Sequence, residues 1–184
     1  VEYLKSPVWG LHETRPRFSW ILDCAACPRG LVQASYRIVV VDEDLGDQVW
    51  DSQVVQSAEN SQIEYDGKQL KPQGFYSWTV SWSPSDAEQP KLTSERAFFD
   101  LGLLEERDWS GAEWIGNSHQ RHLKASFVLS DAKVKRARIY LAVPGCAAVY
   151  INGQEYSTAV LGSEQLGVCP WTQWEQTVLY QTLD

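Results

Sequence analysis

The run Phe75-Tyr76-Ser77-Trp78-Thr79-Val80-Ser81-Trp82 alternates bulky and small polar side chains without a break, and no other stretch constrains the fold as strongly. A period of two puts Tyr76, Trp78, Val80 and Trp82 on one face and Phe75, Ser77, Thr79 and Ser81 on the other. A helix would scatter these residues around its circumference, whereas an antiparallel strand with one dry and one wet face accommodates them. The inner aromatics are therefore read as packing in preference to ligand stacking.

The rest of the chain repeats the theme. Phe18–Leu22, Tyr36–Val41, Val49–Ser52, Gln62–Tyr65 and Ala97–Phe99 are short runs rich in β-branched and aromatic residues, separated by Gly, Pro, Asp and Ser clusters. No helix of normal length is expected before residue 100, and residues 1–104 read as a seven-strand-like sandwich. Leu103–Trp109 can form a single helical turn within a boundary at Leu103–Gly116, which Trp109 and Trp114 are expected to anchor. The strand pattern resumes with Ala125–Leu129, Ala137–Val143, Ala148–Ile151 and Thr177–Tyr180, so residues 117–184 read as a second β unit. Tyr150-Ile151-Asn152-Gly153 is a hairpin signal, because both central residues of a tight hairpin turn need positive φ. The turn is preferred to a sugar-binding role for Asn152.

Charge and length exclude several function classes. The 184 residues carry 16 Lys plus Arg against 24 Asp plus Glu, a net charge of −8, and the basic residues are scattered. Neither nucleic acid nor an anionic membrane is expected as a partner, since phosphate binding needs clustered cations. The apolar stretches Ile38–Val41 and Ile139–Val143 fall far short of the roughly 20 residues that span a bilayer as a helix. A barrel enzyme of roughly 250 residues would not fit in this length. Four cysteines in an acidic, Trp-rich chain suit an oxidising compartment, and a secreted protein is expected. Three pairings are open, with Cys24–Cys27 and Cys146–Cys169 preferred by proximity. Cys24-x-x-Cys27 alternatively fits a redox motif or half a zinc site, but no second CxxC or HxxxH completes a zinc shell.

An ordered set of motifs resembles a known family. Ser6-Pro7, Arg15-Pro16-Arg17-Phe18-Ser19-Trp20, Arg29-Gly30 with Gln33 and Tyr36-Arg37-Ile38, Trp50-Asp51-Ser52, then Tyr65, Gly67, Leu70 and Tyr76-x-Trp78-x-Val80 resemble the N-terminal fibronectin-type-III-like domain of α-L-rhamnosidases. Phe99–Leu104, Asp108-Trp109 and Ala112-x-Trp114-Ile115-Gly116 resemble the linker that follows it. Lys135–Tyr140, Tyr150–Gly153, Trp171-Thr172 and Val178–Thr182 resemble the start of the family's jelly-roll-like N domain. The resemblance implies an all-β chain: a fibronectin-type-III-like sandwich at 1–104, a linker at 105–116, and a second, shortened jelly-roll-like β-sandwich at 117–184. Gly145-Cys146-Ala147-Ala148 departs from the aromatic-rich strand that the family has there.

Family members cleave terminal rhamnose by inversion, using two carboxyl groups in an (α/α)6 barrel downstream of the matched segments. The resemblance therefore implies a non-catalytic, carbohydrate-associated accessory region, with no family catalytic residue to carry over. The second sandwich is about half present, so it is expected either to continue in a longer chain, to be completed by a partner chain or downstream catalytic domain, or to be repacked. The alternative reading is a stand-alone β-sandwich repurposed to bind or transform a hydrophobic small molecule, or a secreted recognition module.

Candidate side chains are few. His119 and His122, three apart in Asn117–His122, are weak candidates for general bases, and no third ligand makes them a metal site. His12 reads as exposed. Asp42-Glu43-Asp44 and Glu105-Glu106 read as ordinary surface or turn clusters. Trp171 and Trp174 are the best candidates for contact with a carbohydrate or small apolar molecule, because a large ring stacks on such faces, although a place in the sandwich core is preferred for Trp171. No metal and no cofactor are expected.

Overall fold

A computed structural model describes residues 1–22, 30, 32–85, 91–116, 122–129, 133–143, 148–156, 178 and 180–183. Contacts divide the chain into two units, Val1–Leu104 and Glu105–Asp184.

The first unit is a sandwich with one large and one small sheet. The large sheet runs β1 (Val8–Leu11), β9 (Ala97–Leu101), β7 (Phe75–Pro84), β3 (Gln33–Asp42) and β4 (Asp47–Asp51), with β5 (Val55–Gln56) also on β3 and β8 (Leu92–Thr93) also on β7. Every pairing is antiparallel except β1 with β9, which is parallel. The small sheet pairs β2 (Arg17–Phe18) with β6 (Ile63–Glu64).

The long β3–β7 ladder shows why these residues form this sheet. Its register sets Tyr36 opposite Trp82, Ile38 opposite Val80 and Val40 opposite Trp78. All six are buried, so the two alternating patterns meet residue for residue and a slip of one would turn both strands inside out. The expected core face of Phe75–Trp82 is thus the observed one.

Phe18 carries the small sheet's share of the core. Its fully buried ring lies 4.8 Å from Trp78, 5.8 Å from Trp50, 6.0 Å from Phe99 and 6.5 Å from Tyr65, in tilted, stacked and edge-on arrangements that aromatic quadrupoles favour. Two tyrosines fasten the loops between sheets. The Tyr76 hydroxyl, at the start of β7, accepts a hydrogen bond from the Lys71 amide at 2.9 Å, and the Tyr65 hydroxyl donates to the Lys68 carbonyl at 2.7 Å. The first has the form of the tyrosine corner of immunoglobulin-type sandwiches.

Some expected strands are shorter than their apolar runs. Phe18–Leu22 pairs only at its first residue, and Ile21 is 87% exposed. Trp20 instead turns its indole N–H to the Gln33 side-chain oxygen at 2.9 Å, leaving the ladder for a buried polar hub. Strands β1, β5 and β8 carry too few alternating residues to announce themselves, and the sheet edge recruits them.

In the second unit the expected helical turn is a 3-10 turn at Glu106–Trp109, closed by a capping box between Glu105 and Asp108. β10 (Ile139–Ala142) pairs with β13 (Tyr180–Leu183), and β11 (Val149–Ile151) with β12 (Gln154–Tyr156), both antiparallel. Trp109 packs edge-on against Tyr180 at 5.2 Å. Two expectations fail here. Ala125–Leu129 forms no strand: Phe127, Val128 and Leu129 are 73%, 97% and 62% exposed, because no neighbouring backbone among the described residues pairs with them. Trp114 is 74% exposed, too open to anchor by burial among the described residues.

Candidate functional site

Of the residues nominated from sequence, His122 and Asn152 lie among the described residues. His122 is exposed in the 122–129 segment, while His119 lies outside the described residues. Trp171, Trp174, Cys24, Cys27, Cys146 and Cys169 also lie outside them. Asn152 is exposed with φ 52° and is followed by Gly153 with φ 84°. The register pairs Ile151 with Gln154, making Asn152-Gly153 the two-residue hairpin loop that the motif predicts. Among the described residues no group of three or more His, Cys, Asp or Glu side chains is placed to hold a metal ion.

What the first unit does assemble lies on the outer face of its large sheet. Strand alternation that sends Tyr76 inward sends Phe75 and Ser77 outward, and the β7–β9 register puts Phe98 beside Ser77. Phe75 stacks on Phe98 at 5.6 Å with 16° between ring planes, and Trp9 from β1 extends the row at 6.0 Å from Phe75. The Arg96 guanidinium lies 5.7 Å above Phe98, a cation–π distance. Arg96 also pairs with Glu43 and donates to the Ser77 hydroxyl at 2.9 Å, while Ser77 donates to Glu43 at 2.5 Å. This triad explains why Ser77, expected on the wet face, is only 1% exposed.

Several carboxylates of this unit are held by fixed partners. Asp51 receives two hydrogen bonds from Arg37, at 2.8 and 2.5 Å, and that guanidinium holds its pKa down at about 2. At neutral pH Asp51 is a permanent anion with no proton to give. Buried Asp42 accepts from the Asp44 and Leu45 amides at 2.9 and 3.1 Å, capping the β3–β4 turn. Buried Asp100 accepts from the Gly10 amide at 2.6 Å, tying β1 to β9. Glu2, held below the usual carboxylate range chiefly by hydrogen bonds from Arg17, fastens the N-terminal segment. The row of rings edged by the Arg96–Glu43 ion pair offers contact chemistry. Glu43 falls in the acidic run Asp42-Glu43-Asp44, which reads as surface, and Arg96 belongs to no sequence pattern. The outward period of Phe75 and Phe98 was the available signal.

A family described as Rha78A-like, N-terminal immunoglobulin domain matches residues 1–105, more than half of the chain. An α-L-rhamnosidase of Formosa agariphila is 30% identical over 203 residues, covering 100% of this chain and 21% of its own length. The solved α-L-rhamnosidase structure from Dictyoglumus thermophilum superposes with a TM-score of 0.74 at 29% identity, covering 97% of this chain and 22% of that one. The native enzyme structure from Aspergillus terreus, at 24% identity and a TM-score of 0.75 over 96% of this chain and 20% of that one, shares the fold. The chain thus spans about a fifth of the length of the relatives it matches.

Proposed function

The chain belongs to the Rha78A-like N-terminal immunoglobulin-domain family, and from that premise we propose that residues 1–184 serve as a non-catalytic, carbohydrate-associated accessory region of α-L-rhamnosidase type. One observation carries the reading: the likeness to α-L-rhamnosidases extends over nearly all of this chain yet takes in only about a fifth of each relative. The chemistry of the described residues supports it. The buried carboxylates Asp42 and Asp100 cap a turn and bridge two strands, and Asp51 is clamped by Arg37. An inverting glycosidase needs one carboxyl group that keeps its proton and a second that faces it across a water. In this reading the chain supports or orients rhamnoside chemistry and contributes no acid or base of its own. A carbohydrate is its expected ligand and an extracellular setting its expected location.

The purified chain, incubated with an aryl α-L-rhamnoside, is expected to release no phenol above the buffer rate. L-rhamnose added to the same sample is expected to perturb tryptophan emission. Enzyme-level turnover that tracks chain concentration through successive purification steps overturns the non-catalytic reading. Unchanged emission at saturating sugar removes the carbohydrate part.

A further inference from the structure

We infer that Asn152 is a self-modifying site, at which the β11–β12 hairpin converts its own turn to isoaspartate through a succinimide. Asn152 and Gly153 are both exposed, both have positive φ, and the Ile151–Gln154 register leaves the Gly153 amide outside the ladder pairing. That amide is the nucleophile in the reaction. Its nitrogen, losing its proton to hydroxide or a buffer base, attacks the Asn152 side-chain carbon Cγ. A C–N bond forms and the side-chain nitrogen leaves as ammonia, giving a five-membered cyclic imide. Water then opens the ring. Attack at the side-chain carbonyl gives aspartate; attack at the main-chain carbonyl gives isoaspartate, with the chain running through the former side chain.

The sequence isolates this position. The other two asparagines, Asn60 and Asn117, precede Ser61 and Ser118, whose side chains crowd the attacking nitrogen, whereas Gly153 has no Cβ. Asp66-Gly67 has the same spacing, but the Asp66 carboxylate pairs with Arg15 at 2.7 Å, and an ionised carboxylate is a far poorer electrophile than a neutral amide.

The product changes the structure as well as the mass. Isoaspartate inserts one methylene into the main chain, and a two-residue loop lengthened in this way no longer matches the twist that holds Ile151 opposite Gln154. Replacing a neutral amide by a carboxylate adds one negative charge, so the net charge moves from −8 to −9.

The test is peptide mapping of the intact chain aged at 37 °C from neutral to mildly alkaline pH, with the Asn152→Gly variant aged alongside. Gly-Gly preserves the positive-φ turn and has no side-chain amide. The expected result is a mass gain of about 1 Da, with isoaspartate, in the peptide containing residues 149–156. It should rise with pH and be absent from the variant. An unchanged 149–156 peptide in the aged wild-type chain overturns the inference, because the turn then withholds the amide from Cγ. So does an equal gain in the variant peptide, which would place the reaction elsewhere.

Discussion

Gln33 shows how much a single buried polar residue organises. It is 1% exposed, its side-chain N–H groups reach the Ser57 and Glu59 carbonyls at 3.0 and 2.7 Å, and its oxygen accepts the Trp20 indole N–H at 2.9 Å. Three segments distant in sequence meet on one amide. Gln33→Ala leaves these partners unsatisfied and is expected to cost about 2 kcal/mol, measurable as a lower urea midpoint with an unchanged slope. A midpoint within error of wild type would show that water replaces the amide at no cost. Gly67 is constrained by space. A Cβ there would sit 2.5 Å from both the Trp50 Cβ and the Tyr65 hydroxyl oxygen. Gly67→Ala must displace the Tyr65–Lys68 bond or the Trp50 backbone, and about 1–3 kcal/mol of destabilisation is expected from such overpacking. A variant as stable as wild type in the same titration would show that the loop yields freely.

At the scale of elements, the β3–β4 hairpin combines a buried cap, Asp42, with a cross-strand clamp, Arg37–Asp51, at the Val39–Asp51 end of its register. The folded-state pKa of Asp51 lies at about 2, below its ordinary 3.8. Its contribution is therefore complete above about pH 3.8 and disappears as pH falls through about 2. Asp51→Asn is expected to be less stable than wild type at neutral pH, with the gap in Tm closing across that window. A gap that stays constant down to the lower limit would show that Asp51 acts through geometry alone. Legibility in the sequence follows the same logic of what pairs with what. The Phe75–Trp82 alternation predicted β7 because both its faces and its two neighbours agree with a period of two. The shorter Phe127–Leu129 run also carries a β-type local signal but forms no strand with any described residue, because strand formation needs a partner edge that local sequence does not contain. The Arg96–Glu43–Ser77 triad was illegible for a related reason. Its members lie 53 and 19 residues apart along the chain and meet only through the sheet register.

At the scale of the whole molecule, the two units differ in how they bury apolar surface. The core cluster of the first runs from Val1 to Leu101 and joins β1, β2, β3, β7 and β9 through Phe18, Tyr76, Trp78 and Phe99, all within residues 1–104. A unit with its own continuous core is expected to fold alone. The described part of the second unit consists of two-stranded ribbons, which are marginal in isolation, and it exposes Leu123, Phe127, Val128, Leu129 and Val134 by half or more. A fragment of residues 1–104 is thus expected to unfold in one cooperative step, with near-ultraviolet dichroism from its packed Trp and Tyr residues. It should bind little of a dye that reports apolar surface. The full chain is expected to bind more dye per molecule, and the excess should fall when Phe127 and Leu129 are both replaced by Ser. Equal dye binding by fragment and full chain would show that the exposed segment is covered in solution. Broad, non-cooperative melting of the fragment would show that the core at Phe18 needs residues beyond Leu104 to close.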